Sequence, residues 1–275
     1  FTHPRQMAVI DDIEKLGDVF SLGHWGDVLF DSENLQQNYS DKEILPLIKK
    51  KVIKKGGLEL ATSLWENWKL AGEFEDYLDI RILTLLSRIN IVNSNAKIRA
   101  FKSMYWAPRW TSINLTVFAR NKEIYLPYYD DRMCKFICEV PESLLNNRQI
   151  QIEYIKKTNI AVAKIVWQDA KPFHLYNHHL ANTHLRLPYR IINKLKREFE
   201  NLQGKKFVQR NWELQFLTTD DQGKLTDYLQ SKELIHQIDI DLIKDYLNLF
   251  YKEDQVHYSH SVSTLLTLSL FFKNL

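Results

Sequence analysis

Apolar positions recur every three or four residues along most of this chain, the period of an amphipathic helix. Met7 to Leu16 carries such a stripe, and Gly17 follows where a helix C-terminus favours glycine. Ile44, Leu47, Ile48 and Val52 form another, ending at Gly56 and Gly57. Lys49, Lys50, Lys51, Lys54 and Lys55 are interleaved with it, which reads as a solvated helix face before it reads as a phosphate-binding patch. The same period predicts helices around 58–70, 75–90 and 96–105, just after Asp130, and around 149–157, 188–200, 239–251 and 260–272. Strand-like runs are few: Val19 to Leu22, Ile124 to Leu126 and Val208 to Leu217. The polar stretch Thr218 to Gly223 reads as a surface connection that marks no domain boundary. With no internal repeat and no low-complexity segment, the pattern predicts a mainly α fold in one domain over 1–275.

Composition narrows this picture. At 275 residues and 45% hydrophobic, the chain can bury one large core or two modest ones. A formal net charge of +3 gives no strongly basic surface, so nucleic acid is not an expected partner. The two cysteines, Cys134 and Cys138, lie one helical turn apart and make no disulfide framework, which points to a reducing, cytoplasmic setting. The apolar tail from Val262 to Phe272 is interrupted by Ser263, Thr264, Thr267 and Ser269 and is too short to span a bilayer. It reads as a buried helix, and no membrane partner is expected. The chain opens at Phe1 directly into patterned sequence, with no targeting signature, and is expected to be part of a longer polypeptide.

The stretch SLGHWGDVLFD (Ser21 to Asp31) holds the first candidate chemistry. It follows a predicted strand and keeps Gly23, Gly26 and one acid, Asp27, together. Two roles are open to it. Asp27 can cap a tight turn, or the glycines can let backbone approach a ligand while the carboxylate holds Mg²⁺, which takes oxygen ligands beside substrate phosphates. A second constellation is APRWTSIN followed by YLPYYDDRMCKF. Arg109 lies after Pro108 at a break in the helical pattern, where it can hold a phosphate or pair with an acid. Asp130 and Asp131 precede a helix with Met133, Phe136, Ile137 and Val140 on its apolar face, so capping explains Asp130 without any ligand.

The run FHLYNHHLANTH places His174, His178, His179 and His184 close together. His174 and His178 have the spacing of zinc ligands on one helix face, but no cysteine or acid lies among them and Asn177 and Asn182 break the helix. A polar loop or a substrate-facing lid is the preferred reading, and no zinc is expected. No Gly-x-Ser-x-Gly elbow, Walker loop or Cys–His arrangement is present.

Taken in order, these pieces resemble the synthetase domain of glutamine-dependent asparagine synthetases. That family has a strand ending in a Ser-Gly-x-Gly-x-Asp-Glu-Leu-Phe loop, matched here at Gly23, Asp27, Leu29 and Phe30. Its Val-Pro-Phe-Leu-Asp motif is similar to Leu126-Pro127-Tyr128-Tyr129-Asp130, and the segments Val140 to Leu145 and Ala163 to Phe173 also look familiar. The likeness covers roughly 10 to 175.

The resemblance implies the C-terminal part of an α/β adenine nucleotide α-hydrolase-like (PP-loop) domain in an ATP-dependent, AMP-forming amide ligase. A substrate carboxylate would attack the α-phosphorus of ATP, and an amine would then attack the acyl-adenylate. Gly23, Gly26, Asp27 and Asp130 would bind the nucleotide, Asp27 would hold Mg²⁺, and Arg109 and His24 would serve the reaction. The partners implied are a small-molecule carboxylate, an upstream nucleotide-binding segment and a glutaminase domain. The sequence also departs from the pattern. The family's glutamates stand at His24 and Val28 here, and its Ser-Gly-Gly-x-Asp-Ser phosphate loop is not in this chain. The 275 residues alone are therefore expected to be inactive. Two alternatives stay open: a non-catalytic helical interaction module on the same scaffold, and a homologue acting on another carboxylate.

Overall fold

The computed structural model describes residues 10–119, 122–203 and 211–275. Helix makes up 70% of the structure and strand 3%, so the mainly α expectation holds. The first helix, α1 (Ile10–Leu16), leads into strand β1 (Val19–Ser21) and a single helical turn, α2 (Gly26–Leu29). Then follow α3 (Asp41–Val52), α4 (Gly57–Asn67), α5 (Phe74–Leu86) and α6 (Ser94–Phe101). A π-helical segment, Lys102–Trp106, joins α6 to α7 (Ala107–Ala119), and strand β2 is Glu123–Tyr125. Beyond it lie α8 (Asp131–Glu139), α9 (Glu142–Leu145), α10 (Gln149–Thr158), α11 (Ile160–Ala163) and α12 (Leu187–Leu202). The C-terminal part holds α13 (Thr219–Leu229), α14 (Lys232–Ile235), α15 (Ile240–Asn248), a second π segment (Leu249–Glu253) and α16 (Ser259–Lys273).

By contacts the chain divides into two compact units. One comprises Phe1–Leu29, Leu35–Phe136 and Asn211–Leu275, the other Phe30–Asn34 and Ile137–Arg210. Two apolar centres of the first unit lie wholly among the described residues. Ile44 and Ile48 of α3 meet Ile82 and Leu86 of α5 and Ile98 and Phe101 of α6. Leu60, Leu64, Leu225, Leu229, Phe250, Val262 and Leu265 form the larger one. The second unit has a small centre of Ile152, Ala163 and Leu175 with Ile155 and Trp167 against it.

Local signals account for several boundaries. Ser40 and Glu43 form a reciprocal capping box at the start of α3, which satisfies two otherwise free donors. Asn93 caps α6 by accepting from the Ala96 N–H at 3.0 Å. Just inside that helix, buried Asn95 exchanges two hydrogen bonds with the backbone of Leu35, at 3.0 and 2.9 Å, and so pins the incoming segment. In the lysine run, Lys49 is not a solvated side chain: it bonds Asp79 at 2.8 Å and Glu75 at 3.2 Å on α5.

Three sequence expectations need correction. Pro108 does not break the helix; α6, the π segment and α7 run on continuously through it. Within the predicted strand Val208 to Leu217, residues 208–210 lie outside the described residues, and Trp212–Leu217 is a 3₁₀ turn. Its apolar residues face the larger core as a turn does, with Glu213 buried among them, so an apolar run alone misread the period. Thr218 to Gly223 is not a connection but the start of α13, with Leu225 and Leu229 fully buried. The predicted first helix is found over Ile10–Leu16, while its positions 7–9 lie outside the described residues. Among the described residues no helix is long and apolar enough to cross a membrane.

Gly56 is required for conformation and for space. Its φ is +70°, and an added Cβ would lie 2.7 Å from both the His257 carbonyl oxygen and the Ser261 hydroxyl. The Ser261 hydroxyl also donates to the Gly56 carbonyl at 2.9 Å. Gly56→Ala is expected to destabilise by at least about 1–2 kcal/mol from the left-handed backbone alone, with the clash adding to it. The midpoint of urea unfolding measures this, and an unchanged midpoint would refute it.

Candidate functional site

β1 and β2 pair in parallel, with Val19 opposite Glu123, Phe20 opposite Ile124 and Ser21 opposite Tyr125. The Leu22 N–H extends the pair by donating to the Tyr125 carbonyl at 2.9 Å. Parallel pairing puts both C-terminal ends on one edge, so the segment after each strand emerges beside the other. These are the two constellations picked out in the sequence, Gly23 to Asp27 and Leu126 to Asp130. In α/β proteins the carboxyl end of parallel strands is where ligands bind.

The loop after β1 turns on Trp25. Its φ is 70°, in the left-handed region that a bulky residue avoids. Its ring is 4% exposed and lies against Tyr129 with centroids 4.5 Å apart. The Val28 and Leu29 N–H groups both donate to the Trp25 carbonyl, at 3.0 and 2.8 Å, and close α2. The two glycines differ in their reasons. A Cβ on Gly26 would meet the Tyr128 ring at 2.9 Å, so packing between the two segments demands glycine there. A Cβ on Gly23 would meet nothing within 4 Å among the described residues, so packing does not demand glycine there.

Asp27 is exposed in the first turn of α2, and no hydrogen bond or ion pair among the described residues engages its carboxylate. His24 beside it is half-buried. Burial pushes its imidazole below the ordinary histidine value, against the opposing pull of the Asp27 charge, and so favours the uncharged form. The His24 Nδ1 and Trp25 Nε1 atoms are buried with no hydrogen-bond partner among the described residues.

α2 packs against the π segment Lys102–Trp106. This segment contributes two residues that sequence reasoning missed: Lys102, which is 8% exposed, and Ser103, whose buried hydroxyl has no hydrogen-bond partner among the described residues. π turns inside α-helices recur at functional sites. A readable signal was present, since a proline within an otherwise unbroken helical period requires the hydrogen-bond ladder to shift. The Ala107 N–H donates five residues back to the Lys102 carbonyl, so the ladder has shifted before Pro108, which lacks a donor. Arg109 then turns its guanidinium onto the Tyr105 carbonyl and is exposed, serving its own helix.

Asp130 is engaged as well. Its carboxylate accepts from the Arg132 backbone N–H at 2.9 Å and from the Arg132 guanidinium at 2.8 and 3.0 Å, at the start of α8. These bonds hold its carboxyl down to about 2, with the Arg132 side chain the largest cause. A depressed carboxylate supports the fold above its unfolded value, about 3.9, and loses that support as pH falls through 2. Arg132→Ala is therefore expected to return the Asp130 midpoint towards the ordinary carboxylate range, read by NMR titration of its side-chain carbon. A midpoint that stays near 2 would contradict it.

The four histidines do not share a helix. His174 pairs with Val166 in an isolated bridge, His178 opens a 3₁₀ turn running to Asn182, and His184 begins another. His178 Nδ1 bonds the Leu175 carbonyl at 2.8 Å, and its ring lies 5.6 Å from that of Trp167. Among the described residues no group of three or more His, Cys, Asp or Glu could hold a metal.

The geometry defines a mainly helical protein with one short parallel strand pair and two loops meeting at its carboxyl edge. No family model matches the chain, and neither the curated proteins nor the solved structures contain a match to it.

Proposed function

We propose that this chain is the C-terminal part of an asparagine synthetase-like, PP-loop amide ligase that activates a small carboxylate with ATP. The observation that carries the reading is the parallel pairing of β1 with β2, which sets the Gly23 to Asp27 loop beside Leu126 to Asp130. Both are motifs on which the resemblance rests, and they are separated by about a hundred residues of sequence. A second support is the backbone at Trp25. The Ser-Gly-x-Gly-x-Asp spacing puts its second glycine at that residue, and φ there is 70°, a glycine conformation kept without the glycine.

Asp27 fits one Mg²⁺ carboxylate: it is exposed, no hydrogen bond or ion pair among the described residues engages it, and Mg²⁺ typically takes one or two protein carboxylates with the remaining ligands from phosphates and water. ATP with Mg²⁺ supplies the electrophilic phosphorus. Gly23 carries no side chain to hinder the approach of a phosphate, and His24, whose burial favours the uncharged imidazole, suits accepting a proton from an attacking amine. Asp130, held by Arg132, suits a positioning role through α8 better than direct metal contact. Arg109 suits stabilisation of its helix better than a phosphate contact.

A second reading, a non-catalytic module on the same scaffold, is favoured by His24 and Val28 where the family has glutamates. Carboxylate-dependent exchange of pyrophosphate into ATP, measured on the polypeptide that carries this chain together with its phosphate-binding segment, separates the two. Exchange supports the ligase; its absence across a panel of carboxylates, with nucleotide binding also absent, supports the module.

A further inference from the structure

We propose that α12 is a docking helix for an anionic membrane surface, lying in the interface rather than crossing it. In its 16 residues, Leu187, Ile191, Ile192, Leu195, Phe199 and Leu202 fall on one arc of the helix. In a folded protein such an arc faces a core, and here it does not. Leu195 is 65% exposed, Phe199 61% and Leu202 87%, and no described side chain of α12 is buried. A helix of this length with no packed face is marginal in water, because most helical stability comes from burying an amphipathic face. Something must cover the arc.

Charge selects the occupant. Arg190, Lys194, Lys196 and Arg197 flank the apolar arc, with Arg186 just before it, against Glu198 and Glu200. Glu200 already lies 3.9 Å from Lys196. An open groove along the helix is lined by Lys171, Arg190, Lys194 and Arg197 together with Leu187 and Ile191 of the arc, with Glu200 as its one acid. Cations beside an apolar arc carrying Phe and Leu are the pattern by which a helix sinks into the headgroup boundary of anionic lipid. The start of the helix is anchored for this, because Arg186 donates to the Lys171 and Asp169 carbonyls at 3.0 and 2.8 Å. The whole-chain charge of +3 averages this local surplus away, and the sequence expectation of no membrane partner considered only a spanning segment.

Sedimentation of the purified full-length protein with phosphatidylcholine vesicles, with and without phosphatidylserine, tests it. The protein is expected to pellet with the phosphatidylserine vesicles, to be released by high salt, and to gain helical circular dichroism on binding. Leu195→Asp with Phe199→Asp should weaken binding by more than about tenfold, and Arg190→Gln with Lys194→Gln should abolish the preference for phosphatidylserine. All four positions are exposed or at the surface, and an unchanged melting temperature verifies that the variants fold. No pelleting by the wild type, or equal pelleting by the aspartate variant, overturns the proposal. So does a wild-type dimer that the aspartate variant disperses, which would make the cover a second copy of the chain. Membrane docking stands apart from ligase chemistry, so either can fail alone.

Discussion

Asp27→Asn, made in the complete ligase, is expected to cut adenylation about a hundred- to thousand-fold, with the fold intact. Asparagine keeps the shape and one acceptor oxygen but removes the charge that would neutralise Mg²⁺ and the departing pyrophosphate. Losing one charge-assisted contact in a preorganised site commonly removes about 2.7–4 kcal/mol of transition-state stabilisation, which corresponds to that loss of rate. Asp27 is exposed on a short turn whose backbone bonds run from Val28 and Leu29 to Trp25, so its side chain is not needed to hold the turn. Its removal should also lower the His24 pKa further, since the Asp27 charge is what opposes the effect of burial there. Pyrophosphate exchange, melting temperature and the NMR titration of His24 read the three consequences separately. Asp130→Asn in the same assay is the control: it breaks the Arg132 pairing at the start of α8 and should cost less activity. If only Asp130→Asn loses activity and both variants stay folded, the metal does not belong to Asp27.

Phe250→Ala is expected to destabilise the protein by about 3–5 kcal/mol, a large part of the roughly 5–15 kcal/mol that holds a typical domain together. Phe250 is completely buried in the second π segment, within a cluster that includes Leu60, Leu225, Leu234, Val262 and Leu265. Removing its ring forfeits the transfer free energy of the atoms and leaves a cavity among side chains that already interlock. Phe271→Ala is the matched control, because that ring is 56% exposed and its loss should stay within about 0.5 kcal/mol. Chemical denaturation of both variants measures the difference, and comparable midpoints would mean that Phe250 is not at the centre of the core.

Amphipathic period was sufficient to read α3, α4, α5, α12 and α16, though not α7 beyond Pro108. Ile44 and Ile48 were already a stripe in the sequence and are completely buried in the structure, and the capping residues near them are local signals. Period failed where burial came from more than one side. Leu225 and Leu229 are buried under α16, yet Thr218 to Gly223 looked like a loop because its own residues are polar. The same limit applies at Trp212–Leu217, where an apolar run shorter than two helical turns fits a strand and a 3₁₀ turn equally well.

At the candidate site, the sequence by itself determined which side chains are present: a loop with Gly23, His24 and Asp27 after one strand, and an Asp130 turn after another. It also determined that helices dominate, because a period of three to four is a property of the local chain. Tertiary structure alone decided that the two loops share an edge, since the parallel register of β1 and β2 joins residues about a hundred positions apart. It decided too that Arg109 and Asp130 are engaged, by the Tyr105 carbonyl and Arg132, while no hydrogen bond or ion pair among the described residues holds Asp27. Which charges remain available is a matter of three-dimensional neighbours. The linear sequence specifies a side chain but not the group that reaches it first.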